Sequence, residues 1–412
     1  MIEGYPTLDD IDCTDKRVLM RIDINAPIFE DEILDTARFK SHIPTIKELE
    51  DSSIVLLAHQ SRPGRKDFTD LSSHAEVLSE LLDREVRYVD ELFSECATRA
   101  ISSMRKGDVL LLENVRFYSE EDLKKAPEEH AASHIVSRLY KYFDVYVNDA
   151  FSTSHRSHAS LVGFPVVLPS VVGRLVEKEV SALSRALKSD GTKVFVLGGA
   201  KISDSIKVMK NVLEKGIAER VFLTGVVANY FLMLKGTNIG EWNRKVVEDN
   251  KEGIDDGEMK RILEKYGDKV VLPLDFGIEI EGERVDVDMD ELKSLKNPVI
   301  KDIGKETVKH YYNSIGEADV AVINGPAGVF EEEDFSYGTF EILRAVSNAG
   351  FSVVGGGHIS SAARLLGLED RFDHISTGGG ASIRFLSGEK LPALEVIKKY
   401  WEAKWHRFVK GS

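Results

Sequence analysis

The chain is short of cysteine, of basic charge and of long apolar runs, and each shortage excludes something. Two cysteines occur in 412 residues. Cys13 and Cys96 lie far apart and lack the C-x-x-C or Cys/His spacing of a zinc site, so they read as reduced thiols of a cytoplasmic protein. Lys and Arg number 54 against 69 Asp and Glu, a formal net charge of −15 and a pI near 5.3. Non-specific binding to nucleic acid or to an anionic membrane surface is therefore not expected. The longest apolar stretch, Leu161–Gly173, is too short to cross a bilayer and contains Pro165 and Pro169. The acidic opening, MIEGYPTLDD, lacks the basic-then-apolar order of a signal peptide. Several motifs are missing too. There is no G-x-x-x-x-G-K-[ST] phosphate loop, no G-x-G-x-x-G after a strand, no H-E-x-x-H and no nucleophile elbow.

What is present is ordinary globular composition, 42% hydrophobic and 30% charged, in a length that suits two or three domains. Short β-branched runs alternate with amphipathic helical patterns, as in parallel α/β proteins. In the first half the expected strands are Val18–Ile22, Ile54–Leu57, Val109–Leu112 and Val145–Val147. The expected helical segments are Arg38–Leu49, Leu71–Leu82, Leu92–Met104 and Glu120–Tyr142. In the second half the strands are Val194–Leu197, Val221–Thr224, Val270–Leu272, Val320–Ile323, Phe351–Val354 and Phe372–Ile375. Val171–Leu187 reads as a helix connecting two domains. Asp204–Leu213 reads as a helix capped by Asp204, and Glu241–Lys265 as a solvated excursion plus helix. Asp286–Asp290 (DVDMD) lacks the glycine and terminal glutamate of a calcium loop and reads as a turn rich in caps.

Ligands of open α/β sheets gather at the carboxyl ends of strands. In the first half those ends carry Asp23 and Asn25, then His59 and Arg62, then Asn114 and Arg116. The fourth carries Asn148, Asp149, His155, Arg156 and His158, and Arg38 opens the first helix. Any one of these has a dull explanation as a cap, a surface ion pair or a loop residue. Three successive strand ends that deliver Arg or His in an acidic protein read instead as a pocket for a small phosphorylated or carboxylated molecule. In the second half three strands run into glycines that precede helices. These junctions are Gly198-Gly199 leading to Lys201, Gly355–Gly357 leading to His358, and the STGGGAS stretch of Ser376–Ser382. Glycine lets backbone N–H groups converge, and a helix N-terminus adds partial positive charge, so the set suits phosphate. Asn324-Gly325-Pro326 forms a further sharp turn on the ligand side.

The residues that carry these features also resemble the phosphoglycerate kinase family, in order and along nearly the whole chain. The matches include RIDINAP (Arg21–Pro27), DTARFKSHIPTI (Asp35–Ile46), AHQSRP (Ala58–Pro63), LLENVRF (Leu111–Phe117) and YVNDAFSTSHRSHAS (Tyr146–Ser160). They continue with LGGAKISDSI (Leu197–Ile206), INGPAGVFE (Ile323–Glu331), VVGGGHISSA (Val353–Ala362) and HISTGGGAS (His374–Ser382). The resemblance implies two Rossmann-like parallel-sheet α/β domains, each three-layered, joined by a hinge helix with a deep cleft between them. The implied division is 1–170 for 3-phosphoglycerate, 171–187 as the hinge and 188–387 for the nucleotide, with the tail 388–412 returning to the first domain.

The implied activity is reversible, Mg²⁺-dependent phosphoryl transfer between 1,3-bisphosphoglycerate with ADP and 3-phosphoglycerate with ATP, a step of glycolysis and gluconeogenesis. The matching acid-binding positions are Asp23, Asn25, Arg38, His59, Gln60, Ser61, Arg62, Arg116 and Arg156. The nucleotide positions are Lys201, Gly225, Asn324, Glu331 (for the ribose hydroxyls), Gly355, Gly356, Gly357 and His358. Arg38, Lys201, Gly379 and Gly380 are expected at the transferring group. Two positions depart from the family pattern. Ser205 stands where a second lysine is common, and His358 where an aspartate near the metal is common, so the protein contact of Mg²⁺ is left open. The GGGH form resembles the archaeal branch. The alternative is a non-catalytic relative that binds nucleotide or sugar phosphate. The expected state is a cytoplasmic monomer or homodimer acting on small molecules.

Overall fold

The computed structural model describes residues 1–30 and 32–406. It contains two compact units. One comprises Met1–Ser181 with the segment from Lys390, and the other Ala182–Glu389. The division falls inside the helix Arg174–Lys188.

The first unit is built on a six-stranded, all-parallel sheet. Its order is Val86–Val89, Val109–Leu112, Ser53–Leu57, Arg17–Arg21, Val145–Asn148 and Ser170–Val172. The central strands are buried on both faces, as helices covering a parallel sheet require. Alternate residues enter separate cores. Val18, Met20, Ile54 and Leu56 pack with Phe39, Leu78 and Trp401, while Leu19, Val55 and Leu57 pack with Ile101, Leu139 and Phe164. The helix Pro392–Tyr400 belongs to this unit: Ala393 and Val396 pack on Leu161 and Val162, and Glu395 accepts a hydrogen bond from the Tyr5 hydroxyl at 2.8 Å. Residues 407–412 of the expected tail lie outside the described residues.

The second unit repeats the plan in the order Val270–Val271, Arg220–Leu223, Lys193–Leu197, Val320–Asn324, Ser352–Gly355 and His374–Ser376, again all parallel. The chain moves outward from Lys193–Leu197 and returns on its other side with Val320–Asn324. The carboxyl ends of those two strands therefore flank a topological switch point, where such sheets open a crevice for ligands. Arg17–Arg21 and Val145–Asn148 flank the matching point in the first unit.

Several local expectations are corrected. Val86–Val89 and Ser170–Val172 are additional strands, the latter compressed between Pro169 and Gly173. The expected helix at Val171 starts only at Arg174 because Val171 and Val172 pair with Val147 and Asn148. Glu120–Tyr142 breaks into Pro127–Ala131 and His134–Leu139, with Pro127 in the first turn, where its missing N–H does no harm. Lys201, not Asp204, is the N-cap residue of Ile202–Glu214. Glu241–Lys265 holds two helices, Gly240–Asn250 and Asp256–Tyr266. An antiparallel sheet of Asp275–Ile280, Glu283–Asp288 and Val299–Ile303 was not foreseen. Asp288, at the end of its edge strand Glu283–Asp288, caps Met289–Ser294 by accepting from the Asp290 and Glu291 N–H groups at 2.9 and 2.8 Å. No described helix is long and apolar enough to cross a membrane.

Candidate active site

In the first unit, register places Leu57, Arg21, Asn148 and Val172 in one row. The residues that follow them thus share one edge of the sheet. Asp23 is its centre. Arg38 Nη1 lies 2.6 Å from Asp23 Oδ2, Ser152 donates its hydroxyl to the same oxygen, and Asn25 N–H donates to Oδ1 at 3.1 Å. Burial pushes the Asp23 carboxyl up, but the Arg38 guanidinium first, with the Ser152 hydroxyl and the Asn25 N–H, outweighs it and holds the group well below the usual carboxylate range. Behind it, His42 Nδ1 donates to Asp149 Oδ2 at 2.8 Å while its Nε2 accepts the Asp23 N–H at 3.0 Å. That buried pair fixes the Asp23 backbone.

His59 is buried, and Arg21 Nη2 donates to its Nδ1 at 3.2 Å. Burial holds its pKa well below the ordinary value. Asp23 opposes this, and Arg21, Arg116 and Arg156 add to it. The imidazole is therefore neutral with its proton on Nε2, a donor. Arg21 itself is 1% exposed. Its Nε donates to Ser160 Oγ at 2.9 Å, and that hydroxyl donates to the buried Glu121 Oε1 at 2.6 Å. Glu121 thus meets this guanidinium through the Ser160 hydroxyl.

Beyond this core lies an open pocket lined by Arg62, Arg65, Arg116 and Arg156 with Asn25 and Ser61. Arg116 is anchored by donation to the Ser61 carbonyl and lies 3.7 Å from Asp122. Arg62, Arg65 and Arg156 are exposed and have no carboxylate partner among the described residues. Ser61 sits at φ +52°, a strained conformation for a residue with a Cβ. It is held there by donation of its N–H to Asn25 Oδ1 at 2.7 Å and of its hydroxyl to Asp67 Oδ1 at 2.6 Å. Gln60 is fully buried, with its amide occupied by Ala26, Asp67 and His74. It braces the loop and does not line the pocket. Arg65, Arg21 and Ser152 were not anticipated; a second arginine in SRPGR was the available signal for Arg65.

In the second unit, Leu197, Asn324, Gly355 and Ser376 stand in one row across four adjacent strands. The glycine turns that follow therefore line one edge, about 14 Å long at ~4.8 Å per strand. Those at Gly198, Gly225 and Gly325 pack too tightly for side chains, whereas nothing lies within 4 Å of a Cβ on Gly357 or Gly379. A Cβ on Gly198 would lie 2.5 Å from the Pro326 carbonyl oxygen, and one on Gly225, at φ +55°, 2.8 Å from Gly199 N. Gly356 precedes the helix Gly357–Leu365, and Gly379 precedes Gly380–Leu386. Lys201 is exposed at the start of Ile202–Glu214. Ser205 is buried on that helix, whereas Lys207 Nζ lies 3.9 Å from Glu389, so Lys207 does not take over the role of the absent lysine.

Beside the switch point lies a largely apolar pocket. Gly199, Gly225, Glu331 and His358, all expected from sequence except Gly199 as a wall, line it together with Trp242, Asn243, Phe276 and Ile300. The latter four were missed, because they come from the stretch read as solvated and from the unforeseen antiparallel sheet. Asn324 stands in the strand row just behind this wall, its Oδ1 near Gly356. Gly379 and Gly380 follow the edge strand and do not line the pocket. The described residues contain no group of three His, Cys, Asp or Glu side chains placed to hold a metal ion.

One α/β unit carries an arginine-lined pocket and the other an apolar pocket beside a row of glycine turns, features suited to phosphorylated ligands. The family model for phosphoglycerate kinase matches residues 8–389. A phosphoglycerate kinase of Archaeoglobus fulgidus is 66% identical over 405 residues, covering 98% of this chain and 99% of the relative. One of Methanosarcina mazei is 50% identical over 409 residues, covering 97% and 98%. The crystal structure of phosphoglycerate kinase from Pyrococcus horikoshii OT3 superposes with a TM-score of 0.88 at 40% identity, covering 96% of this chain and 99% of that one. The chain belongs to the phosphoglycerate kinase family.

Proposed function

We propose that this chain transfers the terminal phosphoryl group of ATP reversibly to the carboxylate of 3-phosphoglycerate, giving 1,3-bisphosphoglycerate and ADP, a step of glycolysis and gluconeogenesis. The observation that carries this reading is the cluster of exposed guanidiniums, Arg62, Arg65 and Arg156, with no carboxylate partner among the described residues, around one pocket of a protein whose net charge is −15. Such a cluster suits a small, multiply charged anion. The ionised Asp23 and Asn25 accept from the substrate hydroxyl, and His59 Nε2–H and the arginines donate to its carboxylate and phosphate. In the second unit the apolar pocket receives the base, Glu331 the ribose hydroxyls, and the turns at Gly355–Gly357 and at Gly379 and Gly380 the phosphates.

A carboxylate oxygen forms the new bond to the γ-phosphorus as the bond to the ADP oxygen breaks. No proton has to move, so positioning and neutralisation of charge carry the catalysis. Arg38 and Lys201 supply that neutralisation at the transferring group. Neutral imidazole is a poor ligand for hard Mg²⁺, and Asp302 in the pocket wall is paired with Arg284 at 2.7 Å. Among the described residues no three His, Cys, Asp or Glu side chains are placed to hold a metal ion, so Mg²⁺ would be held chiefly by the nucleotide phosphates, whose charge it would neutralise. One chain carries every group named, so the reading holds for a monomer or a homodimer in the cytoplasm, with small molecules as its partners.

A coupled assay with ATP, Mg²⁺ and 3-phosphoglycerate, following NADH oxidation through glyceraldehyde-3-phosphate dehydrogenase, tests this. The expected turnover is about 1–100 s⁻¹ or above. Absence of turnover while both substrates bind by calorimetry would establish a non-catalytic binding protein instead.

A further inference from the structure

We infer that Arg284 is a positioning residue for nucleotide binding: it spans the antiparallel sheet and clamps onto it the segment Gly328–Gly338, which carries Glu331. This rests on the proposal that Glu331 receives the ribose hydroxyls.

The three strands stand in the order Glu283–Asp288, Asp275–Ile280 and Val299–Ile303, so Arg284 and Asp302 belong to opposite edges. Register puts Asp286, Gly277 and Asp302 in one row across them. Arg284 lies two residues from Asp286, on the same face. Its guanidinium crosses over Gly277 and reaches Asp302 Oδ2 at 2.7 Å. A Cβ on Gly277 would lie 2.8 Å from Cζ and Nη2, so the guanidinium fills the space that any side chain there would need. Nη2 also donates to Asp286 Oδ1 and to the Ile303 carbonyl, both at 2.9 Å. The Arg284 side chain is 12% exposed and that of Asp302 fully buried.

What this crossing holds is the wall of the nucleotide pocket. Arg284 Nη1 donates to the Asp334 carbonyl at 2.9 Å, and Asp302 Oδ2 accepts the Gly338 N–H at 2.8 Å. Gly328 packs its main chain directly on the Asp302 carboxylate, where a Cβ would not fit. The adjoining Lys301 adds two ties: its carbonyl accepts the Val329 N–H at 2.8 Å, and its Nζ donates to Glu332 Oε2 at 2.7 Å. Residues on both sides of Glu331 are thus bound to the antiparallel sheet, while Glu331 itself is exposed and lines the pocket. A side chain on a loop is aimed only as precisely as the loop is held.

The test is calorimetric titration of the full chain with ADP and with 2′,3′-dideoxy-ADP, which keeps base and phosphates but lacks both ribose hydroxyls. The unaltered chain should prefer ADP by about 10-fold, the worth of one charge-assisted hydrogen bond, and Glu331→Ala should bring that ratio to about one. Arg284→Met should lower it to about 3-fold or less, and Arg284→Met/Glu331→Ala should fall no further than Glu331→Ala alone, since the two act as one unit. Affinity for 3-phosphoglycerate should not change in any of them. A general loosening of the unit would weaken both nucleotides equally. A ratio kept in Arg284→Met would therefore overturn the inference and leave the role of Glu331 standing. If Arg284→Met does not fold, Gly277→Ala decides: it keeps every charge and displaces the guanidinium, and an undiminished ratio there overturns the inference. If the unaltered chain shows no preference, or Glu331→Ala retains it, the ribose assignment fails and the inference with it.

Discussion

The two units present anion sites of opposite construction on the same parallel-sheet plan. In the first, positive charge comes from side chains: Arg62, Arg65, Arg116 and Arg156 converge from loops after different strands. In the second, it comes from main chain, where the glycine turns after Ser352–Gly355 and His374–Ser376 lead straight into helix N-termini. The first is sensitive to removal of charge and the second to addition of bulk. Guanidiniums suit a small anion whose carboxylate and phosphate must be distinguished, while N–H rows suit the repeating oxygens of a polyphosphate.

Substitution can break that contrast. The largest effect is expected for Gly198→Ala, whose new methyl would meet the Pro326 carbonyl oxygen at 2.5 Å. Overpacking of this kind costs about 1–3 kcal/mol of stability, and shifting Gly199 and Pro326 in the wall of the nucleotide pocket should lower turnover by about 100-fold. Affinity for 3-phosphoglycerate should not change. Gly216→Ala is the control, since nothing lies within 4 Å of its Cβ position. Thermal melts should record only the cost of alanine at its positive φ, about 1–2 kcal/mol, with kcat intact.

Arg38→Ala comes next. It removes one of the two cations assigned to the transferring group and unpairs Asp23. Steady-state kinetics should show kcat lowered roughly 100- to 1000-fold. Arg65→Ala should raise KM for 3-phosphoglycerate by about 10-fold, the worth of one charge-assisted hydrogen bond, and leave kcat alone. A loss of kcat equal to that of Arg38→Ala would blur the distinction drawn between binding and transferring cations.

The smallest effect concerns pH. Burial first, against a weaker pull from Asp70, lowers the pKa of His74 to about 4. The unfolded chain takes up that proton near pH 6.5, whereas the folded one does not. Stability is thus undiminished above about 6.5 and falls as pH drops towards 4. Urea midpoints across that range should show a slope that His74→Gln reduces. Asp23 adds a separate loss at lower pH, because its carboxyl is held below the ordinary range and must be protonated on unfolding.

How legible each site was in the sequence follows from the same contrast. Arginine and histidine after β-branched strands stand out in an acidic chain, so Asp23, His59, Arg62, Arg116 and Arg156 could be read as one set. The glycine junctions were equally visible, as runs of glycine directly after β-branched strands. The apolar pocket was not. Trp242 and Asn243 sit in a segment whose charge density reads as solvent-facing. Phe276 and Ile300 come from antiparallel strands where Glu279, Arg284 and Asp286 interrupt the apolar pattern. Strand Ser170–Val172 was hidden by its length and its flanking Pro169 and Gly173. Gln60 shows the converse: its motif suggested a ligand, and its burial makes it a brace.

The most direct test of this division of labour is Lys201→Ala, examined by calorimetry with 3-phosphoglycerate and by the coupled assay. Lys201 belongs to the unit with the glycine row, so the variant should bind 3-phosphoglycerate as the unaltered chain does while turnover falls by about 100-fold or more. Loss of 3-phosphoglycerate binding with turnover retained would contradict the account.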